Sequence, residues 1–238
     1  MPNVVTVVTG AAGGFGAELV AHLVAQGQRV AAVDRPESAA RLQELGARHK
    51  DAVLPLPLDV SSARDWLPAL ERIERELGSA PRGAVLAAGG WQGGVEFHSP
   101  DSDRIFRAMF EINLETARVA LAAILSGMVA RQSGSIVLFG SRAVERPWES
   151  AGAAAYAAAK SAVVALCRAV AAEVVTSGVR VNAVLPSTID TPANRRAMPG
   201  ADASRWVAPR SLAGVVDFLL SDAARDVSGA ALPVYGRS

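Results

Sequence analysis

The chain has 238 residues, 50% of them hydrophobic and 20% charged, with a formal net charge of +1 and a single cysteine. That composition supplies a substantial globular core, and near-neutrality excludes the basic footprint of a nucleic-acid or anionic-membrane binder. The lone Cys167 excludes an intrachain disulfide and fits a reducing, cytoplasmic setting.

A β-branched apolar run over residues 3–9 reads as a buried parallel strand. It leads straight into Thr9-Gly10-Ala-Ala-Gly13-Gly14-Phe15-Gly16, and a helix is expected over residues 14–26. Strand, glycine turn and helix are the context that a dinucleotide fingerprint requires. Gly10 permits the tight turn, Gly14 lets backbone N–H groups approach a pyrophosphate, and Gly16 lets the helix pack on the strand. Gly13 and Phe15 complete the candidate loop, and the helix N-terminus offers the phosphates its partial positive charge. The second strand, residues 29–33, ends in Asp34. An acid there is placed to bond both ribose hydroxyls of NAD(H) and to repel the 2′-phosphate of NADP(H). Arg35 is suited to hold such a phosphate, so NAD(H) is favoured and NADP(H) is the alternative. The competing reading of Asp34 is a cap on the next helix, with Pro36 in its first turn.

A helix over residues 36–45 precedes a strand over 52–58, whose prolines point to irregular or partly unpaired pairing. Asp59 and Val60 close that strand on the adenine side, and Ser61 or Ser62 is placed to cap a helix ending near Leu77. The fourth strand, 83–88, opens into Gly89-Gly-Trp91-Gln-Gly-Gly94. Ala88 and Gly89 there let a cofactor lie against the backbone. Residues 101–131 read as two consecutive helices with Asn113 near their junction; the plain reading of Asn113 is a side chain bonded to a backbone carbonyl. A strand over 134–139 is followed by Ser141. An alanine-rich helix over 153–177 then carries Tyr156 and Lys160, one turn apart on one face. A strand over 179–185 leads into a long loop, 186–209, which Pro186, Thr188 and Ile189 open. A helix over 212–221 and a strand over 230–234 follow.

Strands and helices alternate throughout, which gives an α/β chain: a Rossmann-type doubly wound parallel sheet of about seven strands with helices on both faces. No linker divides it, so residues 1–238 form a single domain. His22, His49 and His98 show no metal-ligand spacing, so no metal is expected. Neither a leader segment nor an apolar run of membrane-spanning length is read, so no membrane partner is expected. Cys167 reads as a small core residue. The Tyr156–Lys160 pair carries chemistry only in a dry pocket. A phenol has a pKa of about 10, and lowering it by three units takes roughly 4 kcal/mol. A solvated ion pair supplies only about 0–1 kcal/mol.

Together these motifs resemble the short-chain dehydrogenase/reductase family over essentially the full length. Thr9-Gly-x-x-x-Gly14-x-Gly16 is similar to its cofactor motif. Asn113, Ser141, Tyr156 and Lys160 match its catalytic tetrad, and Arg180-Val-Asn-Ala-Val-Leu-Pro186 matches the strand before its substrate loop. The resemblance implies hydride transfer between a nicotinamide and a carbonyl or alcohol. Tyr156 would be the general acid/base and Lys160 would lower its pKa and hold the nicotinamide ribose. Ser141 would bond the substrate oxygen, and Asn113 would hold a water that links Lys160 to solvent. It also implies helix pairing between subunits, hence a homodimer or homotetramer, and a small-molecule substrate.

The chain departs from the family pattern in four places. Leu86-Ala-Ala-Gly89 replaces Asn-Asn-Ala-Gly, Pro186-Ser187 replaces Pro-Gly, and Tyr235-Gly236 stands where Gly-Gly is usual. The segment from Ser141 to Tyr156 is also slightly longer, which makes Ser150 a rival to Ser141. Some loops are similar to quinonoid dihydropteridine reductase: Ala88-Gly-Gly-Trp91-x-Gly-Gly94, Leu185-Pro-x-Thr-x-Asp190-Thr-Pro, and the segment from Met198 to Trp206. Trp91, Trp148 and Trp206 each follow a strand end and are candidates to line an apolar substrate pocket; the plain alternative is loop packing. Besides the carbonyl/alcohol enzyme, two readings stand: reduction of a flat quinonoid ring, and a non-catalytic nicotinamide sensor.

Overall fold

The computed structural model of the protein describes residues 4–237. The expected start of the first strand, Asn3, lies outside them. Seven strands form one parallel sheet in the order β3-β2-β1-β4-β5-β6-β7. They are Val5–Thr9 (β1), Arg29–Asp34 (β2), Val53–Pro57 (β3), Gly83–Leu86 (β4), Gly134–Phe139 (β5), Val179–Pro186 (β6) and Ala231–Val234 (β7). Prolines 55 and 57 are tolerated because β3 is an edge strand, and Pro233 because β7 is the other. Strand β4 stops at Leu86, two residues before the expected end, and frees Ala87 and Ala88 for the cleft.

The β-branched runs face helices on both sides. Val5, Val7, Ala31 and Val33 pack toward Ala63–Leu77 (α3), Thr116–Ala130 (α5) and Ala154–Glu173 (α6). Val8, Val30, Ala32 and Val85 pack toward Gly14–Ala25 (α1), Ala39–His49 (α2) and Pro209–Leu220 (α8). Alternation within each strand therefore feeds two cores, which is why the strands read as continuous apolar runs. Trp66 is buried in α3 and donates its indole N–H to the Val60 carbonyl at 3.1 Å, fixing the end of the β3 segment at the cleft.

Further boundaries depart from the pattern-based expectation. Residues 101–131 form one continuous rod, Ser102–Ala130. Ser102–Phe110 (α4) passes into α5 through a π-turn at Glu111–Glu115 rather than through a break. The loop after β6 contains a short helix, Pro192–Ala197 (α7), with Thr191 as N-cap and Pro192 at its first position. The helix with Tyr156 ends at Glu173, followed by a 3₁₀ turn at Val175–Ser177. Two helices, the rod and α6, are long and apolar enough to cross a membrane. This corrects the expectation of no such run; both place apolar residues such as Ile124, Met128, Val163 and Cys167 in the sheet-side core.

Candidate active site

The sheet order reverses between β1 and β4, where ligands of such sheets bind at the carboxyl ends of the strands. A cleft of about 820 Å³ opens there, bounded by the glycine turn, the end of β2, Asp59, residues 87–90, Phe139 and Ile189. Gly10 has φ +72°, and a Cβ on it would lie 3.1 Å from the Ala87 carbonyl and from Ala88 Cα. No side chain larger than hydrogen fits that turn. A Cβ on Gly16 would overlap the Gly10 carbonyl and lie 2.8 Å from Ala11 Cα, so α1 packs directly on the turn. Gly14 serves a second neighbour: its Cβ would lie 3.1 Å from Thr191, which brings the loop after β6 over the glycine turn.

The first turn of α1 begins at Gly13 with no side-chain cap, leaving its N–H groups to the cleft. Asp34 does not cap the following 3₁₀ turn. Its carboxylate accepts the Ala12 N–H and the Arg35 N–H, each at 2.9 Å, and so is oriented at the end of β2. Asp59 binds the N–H and hydroxyl of Ser61 at 2.9 and 2.6 Å, closing a turn beside Val60. Ser62 occupies the N-cap of α3 without a side-chain cap. The polar anchor lost with the family's asparagines is replaced in part by Thr9, whose hydroxyl accepts the Ala88 N–H at 3.1 Å. An uncapped helix start, a fixed acid at the β2 end and glycines where a Cβ would collide fit a dinucleotide. Gly10, Gly13, Gly14, Phe15, Gly16, Asp34 and Gly89 would hold it. Two residues escaped the sequence reading: Ser38 and Arg41 line the same end, with Arg41 donating to the Ser38 hydroxyl at 2.8 Å. Their spacing of three on one helix start was the available signal.

At the other end, Lys160 is buried in α6 and donates to the Phe139 carbonyl at 2.9 Å. Burial lowers its pKa to about 8. Asn113 is buried in the π-turn. Its amide N–H donates to the Gly90 and Met109 carbonyls at 3.0 Å, and its carbonyl oxygen accepts the Gly90 N–H at 3.2 Å. The local reading of Asn113 therefore holds for Met109, one turn back, while Gly90 is a tertiary partner. A Cβ on Gly89 would lie 2.7 Å from Asn113 Oδ1 and 3.4 Å from Lys160 Nζ, so Gly89 lies between the two side chains.

Tyr156 is half-buried against Ile105, Met109, Ala155 and Ala159. That apolar setting raises its phenol pKa, and the nearby Ser141 hydroxyl opposes the rise. Lys160 Nζ lies 5.9 Å from the Tyr156 ring centroid and is not among the influences on that pKa. The phenol is thus held neutral rather than acidified in the protein alone. Ser141, not Ser150, reaches Tyr156; Ser150 lines a separate pocket of about 680 Å³ on the outer face of α6.

The structure does not gather the three tryptophans. Trp148 is 76% exposed and borders that outer pocket, Trp91 is 66% exposed and covers Gly93, and Trp206 is half-buried. The 3₁₀ turn at Pro147–Glu149, inside the lengthened segment, carries Trp148 outward. Pro186 ends β6, and Thr188 and Ile189 continue at the base of the following loop, with Ile189 lining the cleft. Cys167 is buried, and its thiol pKa is pushed up to about 12, so it is a packing residue.

The fold and the cleft define a dinucleotide-binding α/β protein in which buried Ser141 and Lys160 and half-buried Tyr156 lie beside the cleft. A family model described as short chain dehydrogenase matches residues 4–201. 2-(S)-hydroxypropyl-CoM dehydrogenase 3 of Xanthobacter autotrophicus is 34% identical, over 99% of this chain and 96% of the relative. An inactive 2-(S)-hydroxypropyl-CoM dehydrogenase 2 of the same organism is 34% identical over 90% and 96%. The crystal structure of a 3-ketoacyl-(acyl-carrier-protein) reductase from Brucella melitensis complexed with NADH superposes with a TM-score of 0.86 at 25% identity, covering 100% and 99% of the two chains. The chain belongs to the short-chain dehydrogenase/reductase family and is an NAD(P)-dependent oxidoreductase of it.

Proposed function

We propose that the protein interconverts a small carbonyl compound and its alcohol, with Tyr156 as the proton carrier. The observation that carries this reading is geometric: Lys160, bonded to the Phe139 carbonyl, lies 5.9 Å from the Tyr156 ring and beside Gly89, which lines the cleft. One relative is described as inactive, so the intact side-chain set, rather than similarity, argues for turnover and against a sensor.

When bound, the dinucleotide supplies or accepts the hydride. The chain's own side chains do the rest. In reduction the Tyr156 hydroxyl donates its proton to the carbonyl oxygen as that oxygen gains charge. Ser141 donates a hydrogen bond to the same oxygen and holds it beside Tyr156. Lys160, anchored on the Phe139 carbonyl, places a cation near the phenolate that remains. A neutral phenol favours reduction at neutral pH, and oxidation accelerates as pH rises and Tyr156 ionises. Asp34 supports NAD(H) over NADP(H), while Arg35 and Arg41 line the same end of the cleft.

The test is turnover of NADH and NADPH with a panel of short ketones and with a quinonoid dihydropterin. Ketone reduction that prefers NADH supports the reading, and turnover of the pterin alone overturns it in favour of the flat-ring reading. The small residues on the exposed side of α6, including Ala154 and Ala158, support self-association through α5 and α6. A monomeric mass by light scattering would contradict that.

A further inference from the structure

Three segments far apart in sequence meet in one place: Ser187 after Pro186, Tyr235 before Gly236, and the stretch that follows Ser141. Ser187 donates its hydroxyl to the Tyr235 carbonyl at 2.8 Å, and its N–H to the Val234 carbonyl at 3.1 Å. The Tyr235 hydroxyl in turn donates to Glu145 Oε2 at 2.9 Å, and the Arg146 guanidinium lies 6.0 Å from the Tyr235 ring centroid. Glu145 closes the 3₁₀ turn that Ser141 begins. Beyond Tyr235 the chain stays against the loop after β6: the Arg237 N–H donates to the Arg205 carbonyl at 2.9 Å. Gly236, at φ +66°, leaves no room for a side chain, since a Cβ would lie 2.8 Å from that same carbonyl.

We infer that Tyr235 is a positioning residue: the end of the chain clasps the turn carrying Ser141 to the base of the loop after β6, and so sets the width of the substrate crevice. The Ser141 turn and the base of the loop after β6 are far apart in sequence, and Tyr235 bonds both, one through its hydroxyl and the other through its backbone. The phenol is a durable donor, because burial and the bond to Glu145 push its pKa up to about 12. The clasp acts on the loop that carries Ile189 and Thr191, so it bears on substrate fit and, through that loop, on the edge of the dinucleotide cleft.

The link to substrate rests on the function proposed above, so the experiment reads the clasp independently of turnover. Hydrogen exchange is measured on segments 142–150 and 187–206 in Tyr235→Phe, Glu145→Gln and the double variant. Faster exchange in both segments is expected in each single variant, with no further gain in the double. In kinetics, KM for the ketone rises about 3–10-fold, the size of one hydrogen bond, while kcat holds. Ser187→Gly loosens 187–206 by itself and guards against a folding artefact. Unchanged exchange in both segments of Tyr235→Phe, or fully additive effects in the double variant, overturns the clasp. If exchange rises but no substrate turns over, the clasp stands and the functional reading fails.

Discussion

The two ends of the cleft are built by opposite means. The phosphate end is made of backbone: absent Cβ atoms, an uncapped helix start and one carboxylate pinned by two N–H groups. The end proposed to be catalytic is made of side chains largely withdrawn from water, with a buried ammonium, a buried amide and a half-buried phenol. A steric end is broken by added atoms at its glycines; an electrostatic end tolerates conservative change and responds to pH through Lys160 and Tyr156. The contrast gives distinct ways to break each.

Short of removing the Tyr156 hydroxyl, the largest effect is expected at the steric end. Gly16→Val drives a side chain into the Gly10 carbonyl. Overpacking of this kind costs about 1–3 kcal/mol, so the Kd for NADH, read by fluorescence titration, should rise roughly 10–100-fold. Tyr156 should titrate as before. An unchanged Kd would show that the turn does not need this packing.

The next effect is at the electrostatic end. The folded protein takes up the Lys160 proton only below about 8, against 10.5 for the unperturbed side chain. Between those values the unfolded chain binds more protons, so the stability contributed at this site increases with pH. Relative to Lys160→Met, the wild type should gain up to roughly 3 kcal/mol between pH 8 and 10.5, at about 1.36 per unit. Denaturant melts at several pH values check this, and a flat difference would mean that Lys160 is not desolvated.

The smallest effect concerns the phenol. The chain has two tyrosines, so phenolate absorbance in Tyr235→Phe reports Tyr156 alone. Adding Ser141→Ala removes the hydroxyl that opposes the rise in pKa, so the midpoint should move further up. A downward shift would contradict the placement of Ser141.

The same contrast explains what the sequence disclosed. Gly10 and Gly16 were legible because steric exclusion is a property of one residue and its immediate neighbours. Tyr156 and Lys160 were legible because the helical period puts them on one face. The bond from Asn113 to Gly90 was not, since it depends on the π-turn that rotates residues 111–115 within the rod. The outward Trp148 was hidden for a similar reason: a short 3₁₀ turn in a loop sets its direction. Helix α7 escaped because six residues show too little periodicity, although Thr191-Pro192 marked its start. The neutral phenol was missed because spacing indicated a nearby cation and said nothing of the apolar cluster formed by α4.

The measurement that bears most directly on Tyr156 as proton carrier is Tyr156→Phe, assayed for NADH binding and ketone reduction together. The account predicts a Kd for NADH within about twofold of wild type and turnover lower by about 10²–10⁴-fold, the usual contribution of a positioned acid. Turnover equal to wild type with binding intact would contradict it.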